Sequence, residues 1–352
     1  MSAPQNAPDA ESSGEMLRAA TAEALREIVT DEARAAVAGG VIPDNLWSAL
    51  EDIGLPNALS PEGAGGFGVP VVEALSLLKV AGEYALPLPL ADTMLARFLL
   101  GKAGLDAPKG VLTVAPGAEL SIGSNGRASG RARNVPWGRY VDSVVVVAET
   151  ANGPIILVVP RSSLDVEPGV NIAGDPRDTV RFEGVAASSA PFDALRARAA
   201  GAATRSLMMA GALHAVAAMT TQYAEERKQF GRAIGGFQAI QQTLAVLAGQ
   251  AASAGVAADI AADAVASWDE GLVPAVAAAK IRCGEAAGAG AAIAHQTHGA
   301  VGFTQEHRLH HHTRRLWAWR DEFGREAEWA RLLGEHLAAA GAAGLWRAIA
   351  AV

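Results

Sequence analysis

The feature that most restricts the fold is a change of texture in the middle of the chain. Residues 144–147 and 155–159 are short β-branched runs separated by Asn152-Gly153, which predicts a hairpin of buried strands. Residues 178–182 alternate as a half-exposed strand does. On either side the period is helical. Leu17, Ala20, Ala24 and Ile28 recur at three- and four-residue spacing. After the strands, Ile240, Leu244, Leu247, Ala251, Ala254 and Ala258 form a continuous seam, and its small residues imply close helix contact. A short helix is predicted over 45–53, with Leu46, Trp47, Leu50 and Ile53 inward and Gly54 as its stop. Another over 71–84 ends ahead of Pro87 and Pro89. Between them, the glycine- and proline-rich run 60–68 is predicted to hold no regular structure. The fold class that follows is α+β. A disordered tail over 1–14 leads into an N-terminal α-helical domain over 15–109, a small middle β-domain over 110–196 and a C-terminal helical bundle over 197–352.

Composition excludes several function classes. Lys and Arg number 29 against 37 Asp and Glu, a net charge of −8, so no basic field attracts nucleic acid or anionic lipid. The single cysteine, Cys283, permits neither an intrachain disulfide nor a cysteine-rich metal site, which suits a reducing cytosol. The longest apolar run, 207–219, is interrupted by His214, so no membrane span is expected. His214 itself reads as a hydrogen-bonded core or interface histidine. The first 14 residues are polar and acidic and lack the basic and apolar regions of a signal peptide. A cytoplasmic protein is expected. His307, His310, His311 and His312 are not read as a metal site, because three adjacent ligands cannot share a helical face and no cysteine or well-spaced carboxylate joins them.

Two stretches carry chemistry. The first is Glu226-Arg227-Lys228-Gln229-Phe230-Gly231-Arg232-Ala233-Ile234-Gly235, followed by Phe237-Gln238-Ala239-Ile240-Gln241. The second is His295-Gln296-Thr297-His298-Gly299-Ala300-Val301-Gly302-Phe303-Thr304. An arginine at a helix end can grip a pyrophosphate bidentately. Gly299 and Gly302 let backbone N–H groups approach an anion closely. Gln238 and Gln296 can donate and accept around an adenine or a ribose. Taken singly, each also fits a plainer role: Arg227 as a helix cap or the partner of Glu226, the glycines as a simple turn.

In this order, within a helical C-terminal half, the two motifs resemble those of the acyl-CoA dehydrogenase superfamily. Residues 46–68 are similar to the same family's opening domain. The resemblance implies FAD as cofactor, with Arg227, Gln229, Phe230, Gln238, Gln296, Gly299 and Gly302 on its ADP half across a subunit interface. It also implies α,β-dehydrogenation of an acyl-CoA substrate, with an electron-transfer flavoprotein as acceptor. Two departures stand out. The Thr-Glu-Pro…Gly-Ser segment that lies along the flavin ring in typical members is replaced by Leu112-Thr113-Val114-Ala115-Pro116-Gly117-Ala118-Glu119, and of the next motif only Trp137 survives. The catalytic base is the second. The reaction needs a carboxylate to remove the α-proton, and the family's two positions for it fall near Arg320 and on Thr204. Neither is acidic. Asp321 and Glu322 adjoin the first position and are the candidate catalytic residues; a solvated pair balancing Arg314, Arg315 and Arg320 is the alternative. These losses resemble the helper chain of bacterial α2β2 heteromers that act on bulky, cyclic or steroid-derived acyl-CoA, in which a related partner chain supplies the base. Two other readings remain: a homo-oligomeric dehydrogenase using Asp321 or Glu322, and a flavin-free structural protein of the same fold.

Overall fold

The computed structural model describes residues 10–66, 68–115, 117–123, 126–151 and 153–350. Residues 1–9 of the expected tail, Phe67, Pro116 and the hairpin residue Asn152 lie outside the described residues. Helices α1 (Ala10–Ile28), α2 (Asp31–Ala38), α3 (Asp44–Asp52), α4 (Val71–Glu83) and α5 (Leu90–Lys102) precede the strands. In α1 the buried line is Thr21 and Leu25, and Ala20 is turned outward. The spacing had placed Ala20 inside; Thr21 can take the inner face because its hydroxyl donates to the Leu17 carbonyl at 2.8 Å. Helix α3 buries Leu46 and Leu50 and stops at Gly54, whose φ is +71°. Ile53 lies past the helix end and is exposed. The run 60–68 does hold one turn of 3₁₀ helix, Glu62–Ala64.

The strands are β1 (Leu112–Ala115), β2 (Ala118–Ile122), β3 (Ala128–Pro136), β4 (Ser143–Ala148), β5 (Ile155–Pro160), β6 (Asp165–Glu167), β7 (Arg177–Val185) and β8 (Ser188–Pro191). They form two four-stranded sheets, ordered β1-β4-β5-β8 and β2-β3-β7-β6. Strands β4 and β5 make the predicted antiparallel hairpin, with Val145 opposite Val158. Their unbroken apolar runs are explained by burial along nearly their whole length. Helix α5 is pinned to the first strand by Thr93, whose hydroxyl donates to the Leu112 carbonyl and accepts from its N–H.

The C-terminal part contains α6 (Ala194–Glu226), the short strands β9 (Lys228–Gln229) and β10 (Arg232–Ala233), then α7 (Gln238–Ser267), α8 (Leu272–His298), α9 (Leu309–Asp321), α10 (Glu326–Ala339) and α11 (Gly341–Ala350). The long helices α6, α7 and α8 pack mutually, with α9 and α10 against them. The other face of α6 takes α4 at a crossing made by glycines. A Cβ on Gly82 would collide with the Met208 carbonyl, and one on Gly211 with that of Lys79. By length and composition α7 could cross a membrane, which differs from the sequence expectation. Here its seam of Leu247, Ala254, Ala258 and Ala261 is buried in the bundle. His214 faces solvent and bonds Glu83 at 3.0 Å, so it is not a core residue.

Candidate functional site

The chain leaves α6 through a two-residue hairpin in which Gln229 pairs with Arg232 and Lys228 with Ala233. Phe230 and Gly231 form the turn at φ +52° and +79°, as a type I′ turn requires. A phenylalanine in the left-handed region is strained, yet this ring is 91% exposed and meets Phe237 edge-on at 6.2 Å. Arg227 ends α6. Its backbone is used, donating to Tyr223 and accepting from Ile234, but its guanidinium has no partner among the described residues. Glu226 accepts instead from Gln222 at 2.8 Å, so the plainer pairing with Arg227 does not form. Gln238 opens α7 and is exposed.

The second motif closes α8. Gln296 is exposed in its last turn, and Gly299 follows at φ +63° with nothing within 4 Å of the place a Cβ would take. Gly302 differs: it is buried, and a Cβ there would approach that of His298 to 2.8 Å. Its smallness therefore serves packing. Tyr223 stacks on His298 at 4.5 Å, which brings the end of α6 and the end of α8 together. Of the predicted cofactor residues, Arg227, Gln229, Phe230, Gln238, Gln296 and Gly299 are exposed.

The two candidate carboxylates line a separate cavity of about 770 Å³ between β3, residues 170–172 and the end of α9. Their surroundings differ sharply. Glu322 accepts from Arg177 (Nη2 at 2.6 Å, Nε at 2.8 Å) and from Arg205 (Nε at 2.6 Å), and Arg205 also holds Asp92 at 2.6 Å. The result is a buried chain, Asp92–Arg205–Glu322–Arg177, joining α5, α6, β7 and the segment after α9. Burial alone would raise the Glu322 pKa, but the two guanidiniums outweigh it and hold it below the usual carboxylate range. Burial opposes the charge on Arg205 too, and Asp92 and Glu322 more than restore it. Asp321 is exposed and pairs with Arg325 at 3.0 Å. The three arginines expected to balance this pair are engaged elsewhere: Arg314 on the Ile172 carbonyl, Arg315 on Asp175 and Arg320 on Glu326. Thr204, at the other position for a base, is buried with its hydroxyl donating to the Gly201 carbonyl at 2.7 Å. Trp137 is buried beside Tyr140.

Sequence reasoning missed Asp92, Arg177, Arg205 and Lys280. Lys280 is buried under the segment after α9 and donates to the carbonyls of Arg320 (2.6 Å) and Gly324 (2.9 Å). Burial brings its pKa down to about 8. A signal existed: Asp92, Arg205 and Lys280 are charges set in otherwise apolar helical runs, and such charges are rarely buried without partners.

Comparison with known proteins gives a consistent result. Residues 194–343 match the acyl-CoA dehydrogenase C-terminal domain family. In an alignment of 232 positions that covers 57% of this chain and 61% of the relative, the chain is 31% identical to acyl-CoA dehydrogenase FadE27 of Mycobacterium tuberculosis. Its fold is that of the solved steroid ACAD Tcur3481-Tcur3483, at 22% identity and a TM-score of 0.87, covering 95% of this chain and 100% of the other. The ChsE4-ChsE5 complex from Mycobacterium tuberculosis is similar at 23% identity and a TM-score of 0.85, over 95% and 98%.

Proposed function

We propose that the chain is a member of the acyl-CoA dehydrogenase superfamily, as the match of residues 194–343 and the similarity to FadE27 support, and that it is the helper subunit of a heteromeric α2β2 acyl-CoA dehydrogenase. In this reading it holds the ADP half of an FAD whose ring lies in a related partner chain. The partner supplies the base. The observation that carries the proposal is a contrast: the Arg227 guanidinium has no partner among the described residues, at an end of α6 that Tyr223 and His298 join to the end of α8, whereas Glu322 is fixed by two guanidiniums.

The residues present fit the ADP half of FAD. A free guanidinium suits the pyrophosphate, the space around Gly299 admits close backbone approach, and Gln238 and Gln296 offer donors and acceptors for the adenosine. When bound, the flavin supplies the acceptor for the hydride leaving the substrate's β-carbon. On the ring side this chain offers Trp137 buried in its own core and no carboxylate free of an arginine at the expected positions. The names of the two similar solved complexes support a bulky, ring-bearing acyl-CoA as substrate and a related chain as partner. An electron-transfer flavoprotein as acceptor and a cytoplasmic location complete the proposal. A second reading, a homo-oligomeric dehydrogenase, rests on Asp321, which lines the cavity and is held only by the exposed Arg325.

The test is Arg227→Ala. Losing one charge-assisted contact of about 1.5–3 kcal/mol weakens FAD binding by the assembled protein about 10- to 100-fold. An unchanged flavin dissociation constant removes Arg227 from the site.

A further inference from the structure

A second cavity, of about 580 Å³, opens between α2, residues 173–175 and the start of α9. It shares no lining residue with the larger cavity or with the two motifs. Four arginines line it, and their charges are unevenly matched. Arg308 pairs with Asp31 at 2.8 Å and Arg315 with Asp175 at 2.6 Å. Among the described residues, Arg34 and Arg314 donate only to carbonyl oxygens, of Tyr84 and Ala85 in one case and Ile172 in the other. A carbonyl satisfies a donor but cancels no charge. Exposed Glu306 is the remaining carboxylate in the lining, so the cavity keeps one positive charge in excess.

Two further observations point to a ligand. Arg315 is 94% buried (6% exposed), yet its Nε has no hydrogen-bond partner among the described residues. Helix α9 starts at this cavity with no acid in its first turn; the Leu309 N–H donates to His307 Nδ1 at 3.2 Å, a neutral partner that leaves the positive end of the helix dipole facing the arginines. The titration of neighbouring groups records the same field. Burial, then His310, Arg34 and Arg315, bring His311 down to about 3, and burial, then Arg315, brings Arg34 down to about 10.

We propose that this cavity binds a small molecule through an oxyanion, a phosphate or a carboxylate, received by Arg314 and Arg34. Its volume is that of a small-molecule site, larger than a bare ion needs. The proposal is independent of the helper-subunit reading.

Isothermal titration of the full chain, with its co-purifying partner where there is one, tests it with two probes: inorganic pyrophosphate and citrate. Saturable binding of at least one is expected, with the tighter probe identifying the phosphoryl or carboxylate class. Arg314→Gln weakens it at least about tenfold, and Arg314→Lys keeps it within about threefold. Arg314 is exposed and touches one carbonyl, so both variants fold, which the melting temperature confirms. Arg331→Gln, at an exposed pair on α10, leaves this binding intact. The proposal is overturned by the absence of saturable binding with either probe, by equal loss in Arg331→Gln, or by loss in Arg227→Ala with retention in Arg314→Gln.

Discussion

Arg205 sits in the middle of α6 without solvent, and the carboxylates of Asp92 and Glu322 that flank it decide what Glu322 can do. A general base must have a lone pair free for the substrate's proton and enough basicity to take it. Both Glu322 oxygens already accept from guanidiniums, and its pKa is depressed. Asp321 is free of that cluster but held by Arg325. Removing a true base costs about 10²–10⁴ in rate. Asp321→Asn is therefore expected to leave turnover of the assembled enzyme within about tenfold. Glu322→Gln does the same per folded molecule, but it leaves buried Arg177 without its carboxylate and Arg205 with Asp92 alone, and costs about 3–5 kcal/mol of stability. Steady-state rates normalised to bound flavin, with thermal melts, check both. A thousandfold loss in either variant returns the base to this chain. Neither role of Glu322 was legible in the sequence, because Arg205 and Asp92 are 113 positions apart and meet only through the packing of α5 on α6.

Elements whose signal is local were readable in advance. The hairpin β4–β5 follows from two β-branched runs, α3 from a capped amphipathic stretch, and α7 from a seam of small residues. Strands β2, β3 and β7 were harder, since β3 carries Arg131 and Arg133 on its exposed positions and a glycine at its centre. Only part of β7 was recognised. Of the two motif glycines, Gly299 has the open geometry that anion approach needs, whereas Gly302 is small because His298 and Leu309 press on it. The crossing of α4 and α6 gave no periodic signal at all, yet it depends on single atoms. Gly211→Ala pushes a methyl into the Lys79 carbonyl and is expected to cost about 1–3 kcal/mol. Urea unfolding with an unchanged slope and a lower midpoint would show it. A wild-type midpoint means that the two helices can separate without loss.

Across the whole molecule, the chain Asp92–Arg205–Glu322–Arg177 ties the first helices, the strands and the bundle together. It makes stability depend on acid. The Glu322 pKa is lower in the folded protein than the ordinary glutamate value of 4.5. Its contribution is therefore complete above about pH 4.5 and is lost as the pH falls through the lower folded value. The gap in melting temperature between wild type and Glu322→Gln should be widest near neutrality and narrow as the pH falls below about 4.5, through the lowered folded value. A gap that stays constant with pH excludes Glu322 as the titrating group. The same architecture sets two regions apart: Arg227, Gln296 and Gly299 are exposed, and the carboxylates nearest the cavity are committed to salt bridges. The most direct measurement is flavin stoichiometry, by absorbance and mass, in the chain purified alone and after co-expression with a related acyl-CoA dehydrogenase chain. The account predicts a colourless or poorly soluble chain alone and an FAD-bearing heteromer with the partner. A soluble, yellow homotetramer carrying one FAD per chain contradicts it.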